Sequence, residues 1–454
     1  MSNGERQQHK NYRVIIGLGV TGLSCARFLV AQGMAFVVVD SRESPPNLKA
    51  FRKVYPDVQV YCGGWHLEVL LGATQLLVSP GVSLEENVIA SAIEAGIPVV
   101  SDIDLFSMHC RAPVVAITGS NGKSTVTALL GVMAEAAGLR TGVGGNIGVP
   151  ALDLLDRDCE LYVLELSSFQ LERCHQLSPN VASVLNLSPD HLDRHNTYAD
   201  YQRAKLSIYD RAEIKIFNRN DDMTKPKITT AETCLSFGVD DPGASGFGVR
   251  VVQGESWLVD GTIDLMPLAQ LAMKGGHNVA NALAALALGR SAGLPTPAML
   301  EALKIFAGLP HRCQAISVPG DVVYINDSKA TNAGAVVAAL NGLNQNRNIV
   351  LIAGGQAKGA DLSPLALAVE KSCKAVIVIG EAASVLATLL GNIVSVSYAI
   401  SMEAAVSAAT KLAGAGDVVL LSPACASFDM FAGFEDRGNQ FVAAVAKVTG
   451  EVER

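Results

Sequence analysis

One short stretch carries the strongest chemical signal in the chain: Thr118-Gly119-Ser120-Asn121-Gly122-Lys123-Ser124-Thr125. Its glycines allow backbone N–H groups to converge on phosphate oxygens, and a helix starting at Lys123 would add the positive end of its dipole. Lys123 would meet the β- and γ-phosphates, while Ser124 or Thr125 could ligate Mg²⁺. The loop is shorter than G-x-x-x-x-G-K-[ST], because Ile117 stands where that pattern has its first glycine. A turn that merely joined a strand to a helix would need neither the lysine nor the paired hydroxyls. The residues therefore predict a grip on a nucleoside triphosphate, ATP.

A second glycine cluster, Gly17-Leu18-Gly19-Val20-Thr21-Gly22, follows the apolar run 14–16, and Asp40 ends the next apolar run. That acid is placed like one that binds a dinucleotide ribose, although a strand-end acid is consistent with a loop-fixing contact too. Beside a triphosphate loop, a nucleotide-linked substrate is the better reading of this diphosphate-type turn. Glu165, at the end of the apolar run 161–166, and His191, in Asn186-Leu187-Ser188-Pro189-Asp190-His191-Leu192-Asp193, both follow strand patterns. Mg²⁺ favours one or two protein ligands plus phosphate oxygens, so this pair is expected to hold metal beside the loop. Lys205 would ordinarily be a solvated helix lysine. His311-Arg312 could be a linker pair, yet arginine suits bidentate phosphate contact. Three further polar clusters, Asn326 to Asn332, Gly354 to Asp361 and Ser422 to Asp429, each end a strand pattern, so they should share one rim. Lys329 and Lys358 there suggest recognition of a small carboxylate.

These residues need parallel sheets to position them. Residues 14–16, 36–40, 75–80 and 97–101 read as strands alternating with a helix over 23–32, and a new start follows Pro113 with strand 114–117 and helix 123–137. Strands 161–166 and 181–187 and a helix over 198–210 continue this unit. Short pieces between Cys234 and Asp264 suggest a small antiparallel insertion, and helices 278–292 and 297–307 end at Gly308-Leu309-Pro310. Strands 322–326, 348–353, 375–379, 393–396 and 417–421 then alternate with alanine-rich helices. The expectation is an α/β chain of three domains: a Rossmann-like unit over 1–111, a central P-loop-type ATPase-like unit over 112–309, and a doubly wound Rossmann-like unit over 310–454.

Composition bounds the rest. At 454 residues, with 49% hydrophobic and 17% charged residues, the chain can bury several cores. A net charge of −8, without a dense Lys/Arg cluster, argues against nucleic acid and anionic membrane as partners. Nine scattered cysteines with no C-x-x-C pair fit reduced thiols, and no apolar run reaches the ~20 residues a membrane span needs. A cytoplasmic location is expected.

Taken together the motifs resemble the Mur ligase family of peptidoglycan synthesis across essentially the whole chain. The family shares the short loop T-G-x-N-G-K-[ST]. Ser79-Pro80-Gly81-Val82, Asn326-Asp327-Ser328-Lys329-Ala330-Thr331-Asn332 and Ser422-Pro423-Ala424-Cys425-Ala426-Ser427 are similar to its D-glutamate-adding branch. The resemblance implies ATP-dependent addition of D-glutamate to UDP-N-acetylmuramoyl-L-alanine through an acyl phosphate, by a monomer. It assigns Gly19, Val20, Thr21, Asp40, Ser41, Arg42, Ser79, Gly81 and Asn146 to the UDP-substrate. ATP falls to Gly119, Asn121, Gly122, Lys123, Ser124, Thr125, Asn278, Arg312, Asp327 and Lys329. Two Mg²⁺ ions would be held through Ser124, Glu165, His191 and Lys205, the last carrying CO₂ as a carbamate, and Lys123, Glu165, His191 and Lys205 would be catalytic. Thr331, Lys358, Ser427, Phe428 and Phe434 would cradle D-glutamate. Gln356 departs from the pattern, which has Asp there. Rival readings are a nicotinamide-dependent oxidoreductase, a non-catalytic nucleotide switch, and a ligase for L-alanine, a diamino acid or folate glutamates.

Overall fold

The computed structural model describes residues 11–190, 194–227, 233–273, 275–316, 318, 320–344 and 346–450. Its first sheet is wholly parallel, in the order Val60–Cys62, Phe36–Asp40, Arg13–Ile16, Gln75–Val78, Val99–Val100. Strand order reverses between Arg13–Ile16 and Gln75–Val78, so the loops that follow them meet in one crevice. Gly17 is in the left-handed region (φ +94°), and a Cβ there would lie 3.0 Å from Ser79 Oγ, so only glycine lets the loops approach this closely. The helix after it runs over Val20–Ala31, earlier than the expected start at residue 23. The backbone finishes its turn by Gly19, which leaves Val20 and Thr21 free to begin the helix.

The middle sheet has nine strands, in the order Ile263–Pro267, Glu255–Asp260, Phe247–Val252, Thr233–Phe237, Ile214–Asn218, Val181–Val184, Val114–Thr118, Leu161–Glu165, Thr141–Gly145. The expected small antiparallel insertion is present but belongs to this sheet, and its first piece is parallel. Thr233–Phe237 pairs in parallel with Ile214–Asn218, and the last three strands extend the same sheet as an antiparallel edge. The tight turn at Gln253-Gly254, both with positive φ, returns the chain at once and pairs Phe247–Val252 with Glu255–Asp260 in continuous antiparallel register. Helix Gly276–Ser291 covers this sheet, with Ala282, Leu283 and Leu286 wholly buried. The helix expected over 198–210 is Tyr198–Leu206 followed by a 3₁₀ turn, Ser207–Tyr209.

The third sheet has the order Gln314–Ile316, Val323–Asn326, Val418–Leu421, Ile349–Gly354, Cys373–Ile379, Ser395–Tyr398, parallel except for its first edge. Its edge strand lies two residues later than the expected 393–396, because Val394 turns inward as a loop residue beneath the sheet. One hydrophobic cluster runs from Ile15, Leu18 and Phe28 through Phe106 to Tyr162 and Leu164, so the first two sheets share a core. The third sheet has clusters of its own. Among the described residues no helix is long and apolar enough to cross a membrane.

Candidate active site between the middle and C-terminal sheets

The strand Val114–Thr118 is buried along its whole length and delivers the phosphate loop at its carboxyl end, where helix Lys123–Ala136 begins. Gly119 and Gly122 carry φ of +154° and +81°, conformations that a side chain would strain. The neighbouring strand end ties the loop down: Asn121 N donates to Asn186 Oδ1 at 2.8 Å, and Ser120 Oγ donates to Ser188 O at 3.0 Å. Lys123 Nζ donates to the carbonyls of Gly119 and Ser120, at 2.8 and 2.9 Å. Burial pulls its pKa below the ordinary lysine value, with Glu165 opposing.

Glu165 is 1% exposed and lies at the next strand end. Ser124 Oγ donates to its Oε2 at 2.6 Å and Asn146 Nδ2 to its Oε1 at 2.7 Å. Lys205, 2% exposed, reaches the same layer: its Nζ donates to Thr118 Oγ1 at 3.2 Å and lies 5.0 Å from the Tyr201 ring centroid. Burial, then the nearby Lys123, drives its pKa well below the ordinary lysine value. Burial that disfavours the protonated form favours the neutral amine that CO₂ addition requires, so the side chain suits a carbamate. The oxygen donors of Glu165 and Ser124 suit Mg²⁺, with phosphate oxygens left to complete its shell. His191 lies outside the described residues.

The C-terminal unit closes the site. Arg312 Nη2 donates to Ser124 Oγ at 2.7 Å, and Asn332 Nδ2 donates to Asp190 Oδ2 at 3.1 Å. Asn278, Arg312, Asp327 and Lys329, named from three separate segments, line one cavity of about 330 Å³ together with Gly122 and Thr125. Asp327 accepts from Cys313 N and Ser422 Oγ, and burial raises its pKa to about 6.

Family models match most of the chain: "Mur ligase MurD-like, N-terminal domain" at residues 11–101, "Mur ligase middle domain" at 117–289, and "Mur ligase, glutamate ligase domain" at 311–425. The chain belongs to the Mur ligase family. A UDP-N-acetylmuramoylalanine–D-glutamate ligase of Pseudomonas aeruginosa is 49% identical over 440 residues, covering 96% of this chain and 98% of the relative. One from Nitrosococcus oceani is 48% identical over 436 residues, covering 96% of each. Among solved structures, a UDP-N-acetylmuramate-alanine ligase of Thermotoga maritima superposes with a TM-score of 0.60 at 18% identity, over 96% of this chain and 99% of that one. The MurF ligase of the same organism, in complex with ADP, gives 0.60 at 16% identity over 96% of each. These share the three-domain α/β fold.

In this Mur ligase the N-terminal crevice gathers the residues named for the sugar-nucleotide. Arg42 holds Asp40 in a bidentate pair, Nε to Oδ1 at 2.8 Å and Nη2 to Oδ2 at 2.7 Å, while Leu18 N also donates to Oδ2. Burial alone would raise the Asp40 pKa, but these donors hold it below the usual carboxylate range. Both Asp40 oxygens thus accept protein donors, and the acid organises the glycine turn. Ser79 Oγ donates to Gly17 O at 3.1 Å beside it, and Gly19, Val20, Thr21, Ser41 and Gly81 follow the carboxyl ends of the strands Arg13–Ile16, Phe36–Asp40 and Gln75–Val78. Asn146 is instead turned onto Glu165 in the middle domain.

The rim of the third sheet is built from the other predicted set. Lys329 Nζ lies 3.7 Å from the Phe434 ring centroid and Lys358 Nζ 5.4 Å from that of Phe428. Ser427 is buried, Phe428 is exposed, and Thr331 is exposed next to Asn332, whose amide reaches the middle domain. Gln356 pairs through its backbone with Ala426, so the substituted side chain leaves the strand-end geometry intact. Sequence reasoning missed Arg437, 0% exposed, which donates to Cys425 O, Ser328 O and Ser328 Oγ and binds two rim loops together. Its inward direction could have been read from the helical spacing of Arg437, Phe441, Ala444 and Val445, all buried. His277 was missed too. It lines the same 330 Å³ cavity beside Asn278 and Asn281, and its buried Nδ1 has no partner among the described residues.

Proposed function

We propose that this Mur ligase joins D-glutamate to UDP-N-acetylmuramoyl-L-alanine, with ATP cleaved to ADP and phosphate, in cytoplasmic assembly of the cell-wall precursor. The reading divides the monomer near residues 111 and 309. The supporting observation is the convergence of Lys123, Ser124, Glu165, Lys205 and Arg312, from two domains, at one junction between the sugar-nucleotide crevice and the amino-acid rim.

A carboxylate is too electron-rich for an amine to attack, so it must first accept the γ-phosphoryl group of ATP. Lys123 and Arg312 place two cations where negative charge builds on that group, the largest contribution a protein makes to phosphoryl transfer. Asn278 and Asp327 would hold the nucleoside end, with Thr125 beside the phosphates. Mg²⁺, held by Ser124, Glu165, His191 and a carbamylated Lys205, would neutralise phosphate charge. The D-glutamate amine, placed by Thr331, Lys358, Ser427, Phe428 and Phe434, would then attack the acyl phosphate, and the tetrahedral intermediate would expel phosphate to leave the amide. Closure of the third domain over the junction would keep water from the acyl phosphate.

The test is phosphate release from ATP in the presence of UDP-N-acetylmuramoyl-L-alanine, with D-glutamate, L-glutamate, L-alanine and meso-diaminopimelate supplied in turn. D-Glutamate alone should support turnover, and Lys123→Ala should abolish it. Strong turnover with another amino acid would contradict the assignment.

A further inference from the structure

Two arginines of the middle domain close on one loop of the N-terminal domain. That loop, residues 79–83, follows the strand Gln75–Val78 and packs against Gly17, on the crevice read above as the sugar-nucleotide site. Arg173 Nη1 donates to Ser79 O at 2.8 Å, and Arg173 Nη2 donates to Val82 O. Arg194 Nη1 donates to Ser83 Oγ at 3.2 Å, and its Nη2 to Val82 O at 3.4 Å. Glu172 stands between the two guanidinium groups, 3.6 Å from Arg173 Nε and 3.3 Å from Arg194 Nη2. The Arg173 side chain is only 1% exposed.

A loop that only ended a strand could leave its carbonyls to water, and burying a cation to satisfy them is costly. The position of the arginines in the chain gives the arrangement a purpose. Arg173 follows the helix Ser168–Leu171, which starts three residues after Glu165, and Arg194 stands three residues after His191. The two segments that carry the expected metal ligands at one end therefore grip the sugar-nucleotide loop at the other.

We propose that Arg173 and Arg194 are positioning residues, which with Glu172 clasp residues 79–83 and set the distance between the sugar-nucleotide crevice and the phosphate loop. Neither touches a substrate. The proposal rests on the reading that the sugar-nucleotide occupies the crevice at Gly17.

Full-length Arg173→Met, Arg173→Lys and Arg194→Gln test it, through KM for UDP-N-acetylmuramoyl-L-alanine, KM for ATP, kcat and melting temperature. Hydrogen bonds from a charged donor predict that Arg173→Met and Arg194→Gln raise the sugar-nucleotide KM about tenfold or more. KM for ATP should stay within about twofold, since the clasp does not reach the nucleotide cavity. Arg173→Lys should recover part of the loss, because one cationic donor remains. A merely structural role would lower the melting temperature and the active fraction while leaving that KM in place, and such a result overturns the proposal. If Arg173→Met does not fold, the more exposed Arg194→Gln and the milder Arg173→Lys decide by the same criterion. Wild-type turnover that fails to saturate with the sugar-nucleotide would instead remove the reading beneath the proposal, and is seen before any variant is made.

Discussion

Lys205 shows how far environment can change a side chain. On its helix pattern alone it reads as one more solvated lysine, yet the fold buries it beneath Tyr201 and beside Thr118. Burial depresses its pKa, so the neutral amine that CO₂ requires exists at pH values where an exposed lysine would be charged. The sign follows: as pH falls through the depressed pKa the amine protonates, so the proposed carbamate should be lost and activity should fall. Bicarbonate added to enzyme stripped of CO₂ should restore turnover in the wild type and leave Lys205→Ala unchanged, as read by phosphate release. The phosphate loop was legible because its chemistry is local: Lys123, Ser124 and the glycines are adjacent in sequence. Arg173, Arg194 and Arg437 were not, because most of their acceptors are backbone carbonyls of distant loops, which have no residue type to betray them. For Arg173 the acceptors lie 94 and 91 positions away.

At the scale of elements, the rule that parallel sheets present their sites at strand carboxyl ends accounts for where several of the named residues stand. Glu165, Thr118 and Asn326 each stand at such an end. The rule works because apolar runs such as residues 114–117 and 349–353 are long enough to identify without their partners. It failed for Thr141–Gly145, whose sequence Thr-Gly-Val-Gly-Gly carries no apolar run. There a Cβ on Gly144 would lie 2.1 Å from Val149 O, so packing selects glycine over strand propensity. It failed again for the antiparallel edge, since hairpin strands look alike whether they stand alone or extend a parent sheet. The junction between loop and helix gives a sharp prediction. Gly122 has φ +81°, and a Cβ there would lie 2.4 Å from Asn281 Oδ1. Gly122→Ala should cost about 1–3 kcal/mol of stability. It should also raise KM for ATP, because Asn281 lines the nucleotide cavity; urea unfolding and steady-state kinetics together check both effects.

At the scale of the whole molecule, the three units are not equivalent neighbours. The first two share a core through Phe106, whose ring meets Tyr162 edge to face at 5.0 Å. The third meets the middle unit through polar contacts such as Arg312 with Ser124 and Asn332 with Asp190. Polar contacts of this kind can be exchanged for water or substrate at little net cost, whereas a shared apolar core cannot. Phe106→Ala should therefore destabilise the N-terminal and middle units together, by about 3–5 kcal/mol. Hydrogen exchange resolved by peptide should show faster opening in both units, with Ile349–Gly354 and Val418–Leu421 unaffected. The number of units was legible from the alternation of strand and helix patterns, but which of them share a core was not, because Phe106 and Tyr162 lie on different elements whose packing no periodicity encodes. Everything converges on the transfer of a phosphoryl group to a carboxylate at the junction. UDP-N-acetylmuramoyl-L-alanine labelled with ¹⁸O in its terminal carboxyl, turned over with ATP and D-glutamate, tests that transfer directly. The account predicts one labelled oxygen in each phosphate released, and phosphate free of label would contradict it.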